Sequence, residues 1–218
     1  MNVLLDNSSI FLSGFGNTIK LFLISGVLCL ILGTILAMMR VSPVPVFRAF
    51  GTVYVTVVRN TPLTLVFFFF AFAFPLLEII NRADFDFFVA AVIALTLYTS
   101  AFVCEVVRSG INTVAVGQLE ASRALGLTFG QTLSNVVLPQ ATRSVVPPMV
   151  STMIALLKNT TIAAGFSVAE AGAIRDILSE KGYNAMTGLL WVAFFFVVLV
   201  VPLTLLQRSL EKRWSVAR

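Results

Sequence analysis

The stretch QLEASRALGLTFGQTLSNVVLP, Gln118 to Pro139, is a polar, helix-forming insert between two long apolar runs. Its first part, after Gly117, is rich in good helix formers. Gly126 stops that helix, because glycine takes positive φ without steric penalty. Thr128 opens a second helix, and Gln131, three residues on, completes a capping box. Phe129, Leu133, Val136 and Val137 then recur at helical spacing as one apolar stripe. Pro139 is expected to end or kink the second helix. The pattern predicts two short helices joined at a sharp turn. The first is small and polar (Glu120, Ala121, Ser122, Arg123, Ala124), and the second can pack its stripe beneath whatever anchors it. A rigid docking lever and an amphipathic loop lying in a membrane interface both fit these residues.

The flanking runs decide between fold classes. The 218 residues are 58% hydrophobic and 11% charged, with a mean hydropathy of +0.98; a soluble domain carries about a quarter charged residues. The apolar runs are long and unbroken, not alternating segments of about ten residues, so helices are expected and a barrel is not. Five spans are expected, at residues 17–39, 51–77, 87–107, 146–166 and 185–206, in a single all-α transmembrane domain covering residues 1–218. The first run is expected to stay in the mature chain, since residues 1–19 have no basic region of the kind a signal peptide carries. Cys29 and Cys104 lie inside apolar runs and read as inert small hydrophobes. With no histidine and no paired cysteines, no metal site is expected. The net charge of +5 reads as basic loops on the inner side of a membrane, not as a nucleic-acid surface.

Basic residues set the direction. With the N-terminus outside, the inner segments hold Arg40, Arg48, Arg59, Arg108, Arg123, Arg143, Arg208, Lys212, Arg213 and Arg218, and the outer ones only Lys20, Arg82, Arg175 and Lys181. The positive-inside bias therefore predicts N-outside, C-inside, and puts the insert, about residues 109–139, in the cytoplasm.

Polar residues inside spans tend to face a cavity or the bundle interior. Lys158 lies about 15 Å along a helix from Pro148 and is followed by Asn159, Thr160 and Thr161. It can pair with a cargo carboxylate, snorkel to the outer headgroups, or pair with a structural acid. Tyr98, Thr99 and Ser100 form a second polar step, suited to cargo or to interhelical bonds. Glu105 and Arg108 are expected to pair at the surface or to form part of a gate. The segment SVAEAGAIRDILSEKG, residues 167–182, reads as a short amphipathic helix at the outer interface, crowded by Glu170, Arg175, Asp176, Glu180 and Lys181. Phe67 to Phe70 read as packed or lipid-facing, with an aromatic gate as the alternative, and Pro75 and Pro202 as points where their helices can kink.

At the insert, Glu120, Ala121, Ser122 and Gly126, then Val136, Val137, Leu138 and Pro139, resemble the EAA loop of the membrane subunits of ATP-binding-cassette importers, with serine in place of the usual second alanine. NTIKLFLIS at 17–25, VRNTPLTL at 58–65 (Asn60 where glycine is usual), VCEVVRSGINTV at 103–114, LPQATRSVVPPM at 138–149 and LLKNTTI at 156–162 extend the resemblance to nearly the whole chain. They are similar to the polar amino-acid permeases, the glutamate-type permeases of actinobacteria above all. The resemblance implies a non-enzymatic subunit in a bacterial cell membrane, forming half of a path for glutamate or a related amino acid. It implies coupling to the ATPase through Glu120, Ala121, Ser122, Arg123, Gly126, Leu138 and Pro139. A second permease, homologous or identical, two ATPase subunits that hold the ATP and magnesium, and an extracytoplasmic binding protein would be its partners, with no cofactor in this chain and no nucleic acid. A secondary transporter or channel subunit driven by an ion gradient is the alternative. It would need more intramembrane carboxylates than Glu105 and an internal repeat. A membrane scaffold with no transport path is a third reading, against which the KNTT cluster speaks.

Overall fold

The computed structural model describes residues 2–76 and 86–214, all helix and connecting turns. Leu77, the last residue of the second expected span, and Arg82 and Arg218 of the charge comparison lie outside them. Among the described residues, four helices are long and apolar enough to cross a membrane, and a bent pair makes up to five.

A short α1 (Asn2–Asp6) leads into α2 (Ser8–Val41), which at 34 residues is about 51 Å long. It starts well before the expected residue 17, because its first turns have a partner of their own. Phe11 packs with Ala171, Ile174 and Leu178 of the outer segment and with Val192. A Cβ at Gly14 would stand 2.9 Å from the Ile174 side chain, so the close approach there is glycine's.

The second expected span is not one helix. α3 (Pro45–Asn60) and the run made of α4 (Leu63–Phe68) and a π-helical stretch (Phe69–Ala73) are bent by 104°. Thr61 and Pro62 are extended, at ψ 130° and 135°. Proline lacks the N–H that would continue α3 and drives the residue before it out of the α region. Pro75 lies in the short α5 (Phe74–Leu76) that follows. Of the phenylalanine run, Phe67 is buried and stacks on Phe166 at 5.1 Å, while Phe68 and Phe69 are exposed.

α6 (Phe87–Ile111) is the centre of the molecule and touches α2, α3 and α9 (Leu138–Asn159). Small residues let it sit there: Ala90, Ala91, Ala94 and Ala101 are all buried. Between apolar helices in lipid, such backbone approach replaces the hydrophobic drive of a soluble core. The insert forms α7 (Val116–Ala124) and α8 (Phe129–Thr132).

Pro139 does not end the second helix. The chain runs on through a π-helical stretch (Leu133–Val137) into α9, which carries Pro147 and Pro148 inside it, and then through a 3-10 stretch (Thr160–Phe166). The wider π turn restarts the α-helix at Leu138, so Pro139 occupies a first-turn position where no N–H partner is missed. The outer segment follows as a 3-10 turn (Ala171–Ala173) and α10 (Ile174–Glu180), and α11 (Ala185–Trp214) closes the chain with Pro202 inside it.

Candidate functional site

The insert folds as an elbow. Three hydrogen bonds close the end of α7: Leu125 N–H to the Ala121 carbonyl at 3.0 Å, Gly126 N–H to Arg123 at 2.9 Å and Leu127 N–H to Ser122 at 3.1 Å. The last two are the Schellman pair, which needs a left-handed residue at its bend; Gly126 supplies it at φ 75°. Thr128 and Gln131 then form the capping box, each side chain bonding the other's backbone N–H. Two contacts tie the elbow to the bundle: Thr113 Oγ1 meets Ser144 Oγ at 2.9 Å, and Gln140 Nε2 donates to Gln118 Oε1 at 2.9 Å.

The exposure pattern departs from expectation in one respect. The apolar stripe of the second arm does not tuck under the spans. Phe129 is 82% exposed and Leu125, at the bend, 80%. Leu119, Leu127, Phe129 and Val137 instead line a cavity of about 220 Å³ between the two arms. Ser122 is buried, its hydroxyl donating to the Gln118 carbonyl at 2.7 Å; Glu120, Ala121, Arg123, Gly126, Leu138 and Pro139 are exposed.

Glu105 and Arg108 are more than a surface pair. One carboxylate serves three guanidinium groups. Arg40, from the end of α2, hydrogen-bonds Oε1 directly, and Arg108 holds Oε2 at 3.0 Å. Arg59, from the last turn of α3, approaches Oε1 only to 3.6 Å and lies over the Phe102 ring, 5.6 Å from its centroid. Side-chain exposure rises in that order of contact, from 13% for Arg40 through 37% for Arg108 to 45% for Arg59.

The seven cargo candidates separate. Tyr98, Thr99 and Asn159 share a cavity of about 320 Å³ between α6 and α9, with Phe102, Ser151 and Thr152. Thr99 is part of the wall of this cavity, and its hydroxyl, like that of Thr96 on the same helix, is buried without a hydrogen-bond partner. Lys158 and Thr161 line a different cavity, of about 340 Å³, against Phe196, Val197 and Val200 of α11. Thr160 and Ser100 are buried and already bonded, to the Leu157 and Leu97 carbonyls respectively. The Leu97 carbonyl also accepts from the Tyr54 hydroxyl at 2.8 Å.

Glu170, which reads from the sequence as one of the charges crowding the outer helix, is fully buried. The Thr18 hydroxyl donates to its Oε2 at 2.9 Å and the Gly172 N–H to its Oε1 at 2.7 Å, while Ala171 N–H donates to Thr18 Oγ1 at 3.0 Å. Asn17 adds a bond to the Ala169 carbonyl at 2.8 Å. Residues 167–182 are therefore clamped to α2 and are not a free amphipathic helix. Burial pushes the Glu170 carboxyl up from its usual 4.5 to about 7, against the three hydrogen bonds that oppose the shift. Between those values the folded state holds a proton that the unfolded chain has lost, so stability falls as pH rises from about 4.5 to about 7. Glu170→Gln keeps the acceptor for Gly172 and can donate to Thr18. Its denaturation midpoint is expected to be flat from pH 5 to pH 8, where the unsubstituted chain loses roughly 3 kcal/mol. Parallel pH profiles for the two would exclude the buried acid as the source.

The family described as binding-protein-dependent transport system inner membrane component matches residues 29–216 of this chain. The glutamate transport system permease protein GluC of Corynebacterium glutamicum is 42% identical over 216 residues, covering 95% of each chain. The probable glutamine ABC transporter permease protein GlnM of Bacillus subtilis is 35% identical, covering 98% of this chain and 97% of its own. Among solved structures, the crystal structure of an amino acid ABC transporter with histidines superposes with a TM-score of 0.89 at 26% identity, covering 96% of each chain.

Proposed function

This chain belongs to the family of binding-protein-dependent transport system inner membrane components and is an amino-acid permease subunit of the ATP-binding-cassette type; on that premise we propose that it carries glutamate or a close relative of it inward. It crosses a bacterial cell membrane five times, the bent α3–α4 pair serving as one crossing, with the N-terminus outside and the C-terminus inside. A second permease, homologous or identical, completes the path. Two ATPase subunits supply ATP and magnesium, and an extracytoplasmic binding protein delivers the cargo. This subunit performs no chemistry of its own.

The elbow at residues 109–139 carries the force. Glu120, Ala121 and Arg123 present a small, exposed helix face that another backbone can approach, with Ser122 buried beneath it. Gly126 fixes the angle, and the run through Leu138 and Pro139 joins the elbow without a break to α9. A push on α7 is thereby delivered to the helix that walls the cargo cavity. Cargo passes Tyr98, Thr99 and Asn159, and their convergence with Ser151 and Thr152 on one cavity between α6 and α9 is the observation that supports this most directly. Lys158, with Thr161, faces α11 and stands apart from this passage.

Gly126→Val is the test of the elbow. A Cβ there meets nothing within 4 Å, so the cost of a β-branched residue lies in backbone strain at positive φ and not in a clash at Cβ. That strain is about 1–2 kcal/mol. Import is expected to fall about ten-fold, with loss of the ATPase on purification. Full uptake by an intact complex carrying this substitution would contradict the coupling role.

A further inference from the structure

The cavity of Tyr98, Thr99 and Asn159 has a largely apolar wall set with uncharged polar side chains and holds no charged one. Every α-amino acid carries a carboxylate, and glutamate carries two. The lysine that the sequence offered for that group lines another cavity. A different cation stands at this one. Arg59 lies over the ring of Phe102, which is part of the cavity wall. It is also the least committed of the three arginines around Glu105: it makes no direct hydrogen bond there at 3.6 Å and is the most exposed. If it leaves, Glu105 keeps Arg40 on Oε1 and Arg108 on Oε2. Moving Arg59 therefore strands no partly buried carboxylate, which is the usual penalty for breaking such a cluster.

From this arrangement we infer that Arg59 is the cargo's carboxylate anchor. It swings about Phe102 from Glu105 to the passing amino acid and returns when the cargo leaves. A guanidinium suits this role, since it stays charged, forms a planar fork that matches a carboxylate, and slides over an aromatic face without losing favourable contact. Its place at the end of α3, immediately before the 104° bend, puts it on a helix end and not in the middle of a rigid span.

The inference rests on the reading that the cavity lies on the cargo path, and two variants separate the two claims. Equilibrium binding of labelled L-glutamate, L-glutamine and 4-aminobutyrate is measured on the solubilised permease–ATPase complex without binding protein. Glutamine lacks the side-chain carboxylate, and 4-aminobutyrate lacks the α-carboxylate. Arg59→Gln is expected to weaken two of the three at least ten-fold and spare the third. Loss of glutamate and glutamine assigns the anchor to the α-carboxylate, and loss of glutamate and 4-aminobutyrate assigns it to the side chain. Arg59→Lys is expected to restore part of the loss. Equal loss of all three, no loss of any, or no saturable binding to the unsubstituted complex would overturn the anchor. Thr99→Val is expected to weaken all three. If it does so while Arg59→Gln weakens none, the cavity stands and the anchor falls; if neither variant weakens any probe, both fall.

Discussion

Glu105→Ala is expected to destabilise the chain by about 3 kcal/mol, the lower end of what removing one partner from a buried ion pair costs. The low end applies because the Glu105 side chain is still 22% exposed. The damage comes from what remains. Arg40 is only 13% exposed and would lose its hydrogen-bonded carboxylate, and Arg108 would lose its bond to Oε2 while its buried Nε is already without a partner. Three like charges would then share one site with nothing between them. Glu105→Gln keeps an acceptor oxygen but no charge and should fall between the two, at about 1–2 kcal/mol. Double-mutant cycles on the detergent-solubilised chain, read by denaturant titration, should rank the couplings as Arg40, Arg108, Arg59. Distance and exposure dictate that order. A Glu105→Ala chain within about 0.5 kcal/mol of the parent would mean that water screens the cluster throughout.

The second large effect is expected at Gly33. A Cβ there would stand 2.5 Å from Val103 Cβ and 2.8 Å from the Ser100 carbonyl oxygen. The Val103 Cγ1 methyl can rotate away, but its Cβ and the Ser100 carbonyl move only with the backbone of α6. Gly33→Ala must therefore part α2 from α6, the most extensive helix pair in the molecule. The expected loss is about 3 kcal/mol, the upper end for overpacking a tight core, and Gly33→Leu should not yield folded chain. Val103→Ala in the same molecule should recover only part of it, since the Ser100 oxygen and the Cβ at position 103 both remain. Gly16, on the same helix, is the control. A Cβ there meets nothing within 4 Å, and Gly16→Ala should be neutral or stabilising by about 0.5–1 kcal/mol through helix propensity. Similar thermal midpoints for the two alanine variants would rule out the packing account.

What can be read from the sequence is what is local. The long apolar runs place the helices because hydropathy over about 20 residues is a local sum. The elbow is equally legible, since Gly126, Thr128 and Gln131 act within a few positions of one another. The bend at Thr61–Pro62 leaves a sign in the sequence, a proline in mid-run, but hydropathy alone smooths over it. The Glu105 cluster is only partly visible. Arg108 is one turn away, whereas Arg40 and Arg59 arrive from other helices. Glu170 escapes a sequence reading because a carboxylate among charges looks exposed, and its burial depends on Thr18, 152 positions earlier. Lys158 and Asn159, adjacent in sequence, line different cavities for a geometric reason. Consecutive residues on a helix point about 100° apart, so neighbours in sequence come to face different cavities.

In the last helix, α11, only Gly188 and Val192 are buried by the rest of the chain. Most of its length therefore has to be completed by surroundings that this chain does not supply, whether lipid or the second permease subunit. Whatever packs there also borders the wall that α11 shares with Lys158 and Thr161, so that wall answers to a neighbour as well as to the fold of this chain.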